Sequence, residues 1–176
     1  MGTPTATPTH VTAVLFREAP ALERLFEVFR RLPDTSDVIL ENTHVRLDTP
    51  AGVVHASTYG APWPDMDPES LAELGGAGAG LHPGSLQRAA AQTVVWPGGA
   101  LAAEAHQGFV HLIMAEGTGT PQAQIEELER LALAMLADPA SLCLFFPWGE
   151  SLRDGHVMGH IRAAAQEQGA VPLQNW

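Results

Sequence analysis

The chain has 176 residues, of which 45% are hydrophobic, and its formal net charge at pH 7 is −11. This length and composition suit one globular domain. The negative charge argues against nucleic acid and anionic membranes as partners, because both would repel the protein. A basic patch on a partner protein, or a metal ion, fits the charge better. We expect a cytoplasmic protein, since the opening MGTPTATPTH has neither the charged nor the apolar region of a signal peptide.

The basic residues and the single cysteine exclude several kinds of enzyme. All nine basic residues are arginine, so a Schiff-base lysine, a phosphate-loop lysine and a Ser–Lys dyad are impossible. Cys143 lies in the apolar run LCLFF, which predicts a buried thiol and not a nucleophile. With one cysteine, no intramolecular disulfide or multi-cysteine zinc site can form. No Gly-x-Ser-x-Gly motif marks a serine nucleophile.

The first third of the chain alternates strand and helix patterns after a flexible lead over residues 1–10. VTAVLF predicts a buried strand, and PALERLFEVFRRL predicts a helix with apolar residues at helical spacing. Three strand-like runs follow, at residues 37–41, 44–49 and 52–60. The TPAG between the last two predicts a hairpin, which places His44 and His55 on paired strands where they can face each other.

The middle of the chain is rich in glycine and proline and predicts less regular structure. We expect loops over residues 61–84, interrupted by one short helix at Glu69–Leu74. The next stretch, residues 85–106, allows two interpretations. A helix can run from Ser85 into Trp96, but TVVW also has the composition of a strand.

The last part of the chain repeats the strand and helix patterns. GFVHLIMAE predicts a strand, and TPQAQIEELERLALAMLAD predicts a helix capped by Thr120 with Pro121 in its first turn. SLCLFF predicts a buried strand. SLRDGHVMGHIR then predicts a helix that Ser151 caps, with a buried stripe formed by Val157, Ile161 and Ala164.

The patterns at both ends of the chain predict the order strand, turn, amphipathic helix, strand. We therefore predict an α+β fold, with a mixed, largely antiparallel sheet and helices packed on it, in one domain over residues 11–176. Two β-α-β-like halves would give a ferredoxin-like pseudo-repeat. Whether the halves reflect a true duplication is left open.

Several segments resemble the bacterial family called domain of unknown function 4261. They are HVRLDTPAGVVHASTYGAPWPDMDPES, WPGGALAAEAHQGFVHLIMAEG, LALAMLADPASLCLFFPWGE and VPLQNW, in that order. The resemblance covers most of the chain from about Val11 and supports the predicted fold. It implies no established activity. Members of such families are sometimes encoded near secretion and toxin–immunity systems, which suggests a context for this protein.

Histidines supply the candidate metal ligands. His156 and His160 are four residues apart, which places them on one side of the last predicted helix. A metal site needs two or three histidines that converge with a carboxylate. Val157 stands where a His-Glu-x-x-His motif has its base, so a metalloprotease is not expected. These histidines can equally be structural residues. The candidate metal set is His156, His160, His106, His111 and Glu104.

Tryptophans and an acidic loop supply the candidate partner-binding residues. Trp63, Asp65 and Asp67 lie close together in APWPDMDPES, and Trp148 follows the LCLFF strand. A tryptophan at the end of an element either forms an interface hot spot or fills the rim of the core. Two carboxylates beside a tryptophan can bind a cation, but acidic, proline-rich loops also form ordinary solvated turns.

These observations lead to two hypotheses of function. The first is a non-enzymatic cytoplasmic protein that binds a protein partner with a basic surface, in a toxin–immunity or secretion context; it needs no catalytic residues and no cofactor. The alternative is a small metal-binding protein or metal-dependent enzyme that uses the pair His156 and His160. Substrate, partner and oligomeric state do not follow from the sequence.

Overall fold

A computed structural model describes residues 10–75, 81–93 and 96–155, together with positions 157, 160, 163 and 164. The strands are β1 Val11–Phe16, β2 Asp37–Leu40, β3 Val45–Thr49, β4 Gly52–Tyr59, β5 Gly108–Gly117, β6 Ser141–Phe146 and β7 Ser151–Arg153. The α-helices are α1 Leu22–Phe29, α2 Pro68–Gly75, α3 Ser85–Ala91, α4 Gly99–Ala105 and α5 Pro121–Ala134. Short 3₁₀ helices cover Met135–Ala137 and Pro147–Gly149.

The strands form one seven-stranded sheet in the order β2-β3-β4-β5-β1-β6-β7. Every neighbouring pair is antiparallel. The predicted α+β fold with a largely antiparallel sheet is therefore confirmed. The hairpin at TPAG is also confirmed, because Thr49 pairs with Gly52 at the start of the β3–β4 ladder.

Six elements form a ferredoxin-like frame within this sheet: β1, α1, β4, β5, α5 and β6. Since β1 pairs antiparallel with both β5 and β6, these two strands are parallel with β1 between them, joined by α5. In the same way β5 separates β1 from β4. These are the two interleaved β-α-β units of a ferredoxin-like fold. Strands β2 and β3 extend one side of the frame, and β7 extends the other.

Helices α1 and α5 cover one face of the sheet. Leu25 and Phe29 of α1 and Leu128 and Leu131 of α5 are fully buried and belong to one apolar cluster with alternate residues of the strands. Helix α5 starts as predicted, since the Thr120 hydroxyl accepts a hydrogen bond from the Ala123 N–H and Pro121 occupies the first turn. The main core of the protein lies on this face.

Helices α2, α3 and α4, called here the helical layer, cover part of the other face. Their buried residues pack with Leu15, Phe109, Cys143 and Phe145 in a second apolar cluster. The undecided stretch at 85–106 therefore contributes two short helices. The chain leaves the sheet after Tyr59 and returns at Gly108, where a Cβ would lie 2.8 Å from the Tyr59 carbonyl oxygen. Only glycine allows this close approach.

The prediction for residues 151–162 is wrong at its start. Ser151 does not cap a helix but lies in β7, because Leu152 is buried and pairs with Phe145 of β6. Helical structure begins at Gly155, which packs so closely on Leu136 that a Cβ would overlap its side chain. Val157 is 52% exposed and Ala164 is also exposed, so the predicted buried stripe is absent from the described positions; Ile161 lies outside them.

None of the described helices is long and apolar enough to cross a membrane.

Candidate functional site

His106 ties the helical layer to the chain that leaves β4. It is buried at the end of α4, and its Nε2 accepts a hydrogen bond from the Trp63 backbone N–H at 2.9 Å. Its Nδ1 donates to the Ala103 carbonyl oxygen. Burial lowers the pKa of His106 below its usual value, which favours this neutral form. Because both ring nitrogens are engaged, neither is free to bind a metal.

His111 and Trp63 form a buried polar pair beneath the layer. His111 is on β5, and burial lowers its pKa to about 4. Its ring centroid lies 6.3 Å from that of Trp63, which packs edge-on against Phe109 and Phe145 at 5.1 and 5.2 Å. Among the described residues, neither Nε2 of His111 nor Nε1 of Trp63 has a hydrogen-bond partner. Trp63 is 4% exposed and so offers almost no area to a partner.

The two aspartates of the acidic loop cap helices. Asp65 accepts hydrogen bonds from the Leu86 and Gln87 N–H groups at 2.7 and 2.9 Å, at the start of α3. Asp67 accepts from the Ser70 hydroxyl and the Glu69 N–H at the start of α2, and the hydroxyl lowers the pKa of Asp67. The predicted candidates Asp65 and Asp67 therefore have a structural task that accounts for their positions.

The outer side of this region carries exposed apolar residues beside an ion pair. Met66 is 70% exposed and Trp148 is 41% exposed. Arg88 donates two hydrogen bonds, at 2.6 and 2.8 Å, to the carboxylate of Glu150, which follows Trp148 by two residues. Gly84 lies against both Met66 and Arg88, since its Cβ would be 3.6 Å from the Met66 sulfur and 2.8 Å from the Arg88 guanidinium. We call Met66, Arg88, Trp148 and Glu150 the layer surface.

The backbone at Glu150 is in an unusual conformation. Its φ of 45° lies in the left-handed region, which is rare for residues other than glycine, asparagine and aspartate. The Arg88 pair holds the carboxylate in place, and Arg88 is itself fixed by a hydrogen bond to the Pro83 carbonyl oxygen at 3.0 Å. Such strained positions cluster at functional sites.

The segment that contributes Met66 and Arg88 to the layer surface is rich in negative charge. Residues 60–107 contain five carboxylates and one arginine, Arg88, which gives a net charge of 1 − 5 = −4 for this segment. Four of the carboxylates are exposed: Asp67, Glu69, Glu73 and Glu104. Since the exposed Arg88 is paired with Glu150, the other exposed ionic groups of this segment are these four carboxylates.

A second group of polar residues lies on the neighbouring strands β3 and β4, where His44 directly precedes β3 and His55 is in β4. The rings of His44 and His55 pack with centroids 4.3 Å apart, so the prediction that they face each other is confirmed. His44 Nε2 is 3.5 Å from a Glu41 carboxylate oxygen. Burial, and next the neighbouring His44, lower the pKa of His55.

The candidate metal ligands do not meet in the described part of the chain. There, no group of three or more His, Cys, Asp or Glu side chains could hold a metal ion. Glu104 and His160 are exposed, whereas His106 and His111 are buried beneath the layer. His156 lies outside the described residues.

Comparisons with protein-family models, with curated proteins and with solved structures find no match for this chain. The resemblance to domain of unknown function 4261 stays a prediction.

Of the layer surface, sequence reasoning identified only Trp148. It missed Met66, Arg88 and Glu150, because the Arg88–Glu150 pair joins residues 62 positions apart. The available signal was the excess of carboxylates in residues 60–107, within which Met66 is flanked by Asp65 and Asp67.

Proposed function

We propose that this protein is a non-enzymatic cytoplasmic binding protein whose layer surface recognises a basic patch on a partner protein. The observation that carries the proposal is the exposure of Met66 and Trp148 close to the Arg88–Glu150 pair, beside a segment rich in carboxylates. Methionine, tryptophan and arginine are the residue types enriched at protein interfaces.

Charge and shape contribute in different ways. The exposed carboxylates around the layer surface attract a basic partner and accelerate its association. Trp148 and Met66 then provide apolar area that binding removes from water. The Arg88–Glu150 pair is held in place before the partner arrives, so little side-chain entropy is lost when it becomes part of an interface.

The context suggested by the family resemblance agrees with this chemistry. An immunity protein that neutralises a basic toxin needs an acidic, preformed binding surface and no catalytic groups. A toxin–immunity or secretion system is therefore the setting that we propose for the partner.

Site-specific photo-cross-linking in the native host tests the proposal. A photoreactive phenylalanine analogue replaces Met66 or Trp148, and Ile125, which is exposed on α5 at the opposite face, serves as the matched control position. We expect both layer positions to capture the same protein, with a basic surface, and position 125 to capture none of it. Equal capture at all three positions, or capture of an acidic protein, would contradict the proposal.

The captured partner, once purified, allows a quantitative test. We expect Trp148→Ala to weaken binding by roughly 30-fold, as for an interface hot spot worth about 2 kcal/mol. Ile125→Ala should leave the affinity unchanged. Because carboxylates steer association, added salt should slow the association rate more than it raises the dissociation rate. An unchanged affinity for both Trp148→Ala and Met66→Ala would remove the layer surface from the interface.

A further inference from the structure

The two edges of the sheet are protected to different degrees. Strand β7 is only three residues long, and brevity is one of the ways in which proteins protect an edge. Strand β2, Asp37–Leu40, has no proline, no lysine and no bulge in its pairing with β3. Ile39 and Leu40 are 38% and 41% exposed, although both are large apolar residues. An edge of this kind is open to pairing with another strand.

The backbone of β2 has hydrogen-bonding groups directed away from the sheet. The Glu41 N–H donates to the His44 carbonyl oxygen at 2.9 Å, which makes these two residues a hydrogen-bonded pair. Since hydrogen-bonded and non-bonded pairs alternate along an antiparallel ladder, Ile39 bonds to β3 while Val38 and Leu40 direct their N–H and C=O groups outward. Within the described part of the chain, no strand lies beyond β2.

The side chains of β2 alternate between the two faces of the sheet. Val38 packs against the apolar cluster beneath α1 and α5, so Leu40, two residues later, lies on the same face. Asp37, Ile39 and Glu41 therefore share the opposite face, and all three are exposed. On that face the apolar side chain lies between two carboxylates. The edge thus has an apolar middle and acidic ends.

The negative charge at these ends is poorly compensated. Asp37 lies directly opposite Asp48 of β3, and like charges in opposite positions repel each other. Arg46, the arginine of β3, is 3.1 Å from Asp48. Among the described residues, Asp37 forms no ion pair and Glu41 meets only the imidazole of His44, at 3.5 Å. A basic side chain beyond β2 would offset this repulsion, whereas a second copy of β2 would bring further carboxylates to the same edge.

We propose that β2 accepts an extended strand from a partner protein, in which three apolar residues are flanked by two basic ones. Val38 and Leu40 exchange main-chain hydrogen bonds with this strand. Its basic residues lie beside Asp37 and Glu41, and its apolar run covers the exposed parts of Ile39 and Leu40. The contact is independent of the layer surface, part of which adjoins β7 at the opposite edge of the sheet.

Titration with two synthetic peptides tests the proposal. In both peptides the run Val-Ile-Val is flanked by one residue on each side, lysine in the first peptide and glutamate in the second, and the ends are blocked. We expect the lysine peptide to bind roughly tenfold more tightly, because cross-strand charges of opposite sign attract and those of like sign repel. Amide chemical shifts, measured by NMR, should change along β2 and β3.

Three results of this titration would overturn the proposal. They are equal affinities for the two peptides, no binding of the lysine peptide at concentrations up to roughly 1 mM, and shift changes confined to the layer surface.

Charge reversal shows whether the carboxylates beside β2 set the preference. Asp37→Lys combined with Glu41→Lys should reverse it, so that the glutamate peptide binds more tightly. Glu69→Lys combined with Glu73→Lys, at two exposed carboxylates of α2, changes the net charge by the same amount and should keep the wild-type preference. If the lysine preference survives in the first variant or is lost in the second, β2 does not select the peptide and the proposal is overturned.

Val38→Pro tests the contribution of the backbone. The substitution removes an N–H that points away from the sheet without removing a β2–β3 hydrogen bond, so the variant should no longer bind the lysine peptide. Circular dichroism checks that the variant folds. Binding that persists in the folded variant would overturn the proposal. So would analytical ultracentrifugation that finds a dimer of the unmodified chain which dissociates in Val38→Pro, because the occupant would then be a second copy.

Discussion

The two faces of the sheet are both buried, but by different chemistry. Beneath α1 and α5 most buried side chains are apolar, although Gln124 and Glu129 of α5 are also buried, and α5 is the longest helix described, with 14 residues. Beneath the helical layer the cluster includes Trp63, and His106 and His111 lie buried beside it. The helices of the layer have seven or eight residues each. One face resembles the interior of a typical small domain, and the other buries polar rings.

This difference concerns the contacts that hold the helices on each face of the sheet. Helices of seven or eight residues are not stable on their own, so they depend on contacts with the rest of the protein. In the layer those contacts are the apolar packing against the sheet, together with the Asp65 and Asp67 caps, the His106 hydrogen bonds and the Arg88–Glu150 pair. We expect the frame to contribute most of the stability, while polar contacts add to the apolar packing of the layer and present the proposed binding surface.

The largest effect is expected on the apolar face. Phe29→Ala should lower the free energy of unfolding by about 3–5 kcal/mol, because the side chain is fully buried and its removal leaves a cavity. Denaturant unfolding followed by circular dichroism measures the change. Leu101→Ala, an exposed position in the layer, is the control and should have little effect. A loss below about 1 kcal/mol for Phe29→Ala would mean that this face does not carry the stability.

The second largest effect is expected from lowering the pH, because the face beneath the helical layer buries His111. The folded-state pKa of His111 is about 4, below its value of 6.5 in the unfolded chain. The buried, neutral His111 therefore causes no loss of stability above pH 6.5. As the pH falls from 6.5 towards 4, it lowers the free energy of unfolding, by roughly 2 kcal/mol at pH 5. His111→Gln should reduce the loss of stability between pH 7.5 and pH 5 by that amount. Equal pH dependence in the variant and the wild type would show that His111 is not the group responsible.

The helix caps should show a smaller difference. Asp65→Ala removes two backbone hydrogen bonds from α3 and should cost about 1–2 kcal/mol, whereas Asp65→Asn retains an acceptor and should cost less. Amide exchange should accelerate in α3 before it does in α5. Thr120→Ala removes the matched cap of α5. If it accelerates amide exchange in α3 as much as Asp65→Ala does, the Asp65 cap is not what stabilises α3.

The smallest effect is expected for an exposed ion pair on the apolar face. Arg24 bonds Asp138 at 2.9 Å, but the arginine side chain is 61% exposed. Arg24→Gln should change the unfolding free energy by about 1 kcal/mol or less, and less still at high salt. A larger loss in thermal or denaturant unfolding would mean that the apolar face also depends on polar contacts.

The sequence predicted the frame well because its elements are determined locally. The cap at Thr120, the proline at 121 and the apolar spacing of α5 lie within one helix. The hairpin at TPAG is likewise a short-range feature. The α+β fold followed from these patterns and did not require knowledge of distant contacts.

The layer and the last strand were less predictable because distant residues determine them. Helix α3 is capped by Asp65, which precedes it by about twenty residues. Ser151 was predicted to begin a helix, but pairing with Phe146 places it in β7. For the same reason the candidate site was found only in part. Trp148 was identified by residue type, while the Arg88–Glu150 pair beside it needed the fold.

The close approach of Gly108 to Tyr59 has a consequence for how this protein can change. Entry to the helical layer and exit from it are neighbours in the sheet, because Tyr59 pairs with Phe109. A different segment of similar length can therefore be spliced between the same two strands with little change in the entropy of closing the loop. The replacement must keep an apolar underside to cover Leu15, Phe109 and Phe145. Such an exchange would replace the Met66 and Arg88 part of the proposed binding surface, while the frame and Trp148 and Glu150 stay constant.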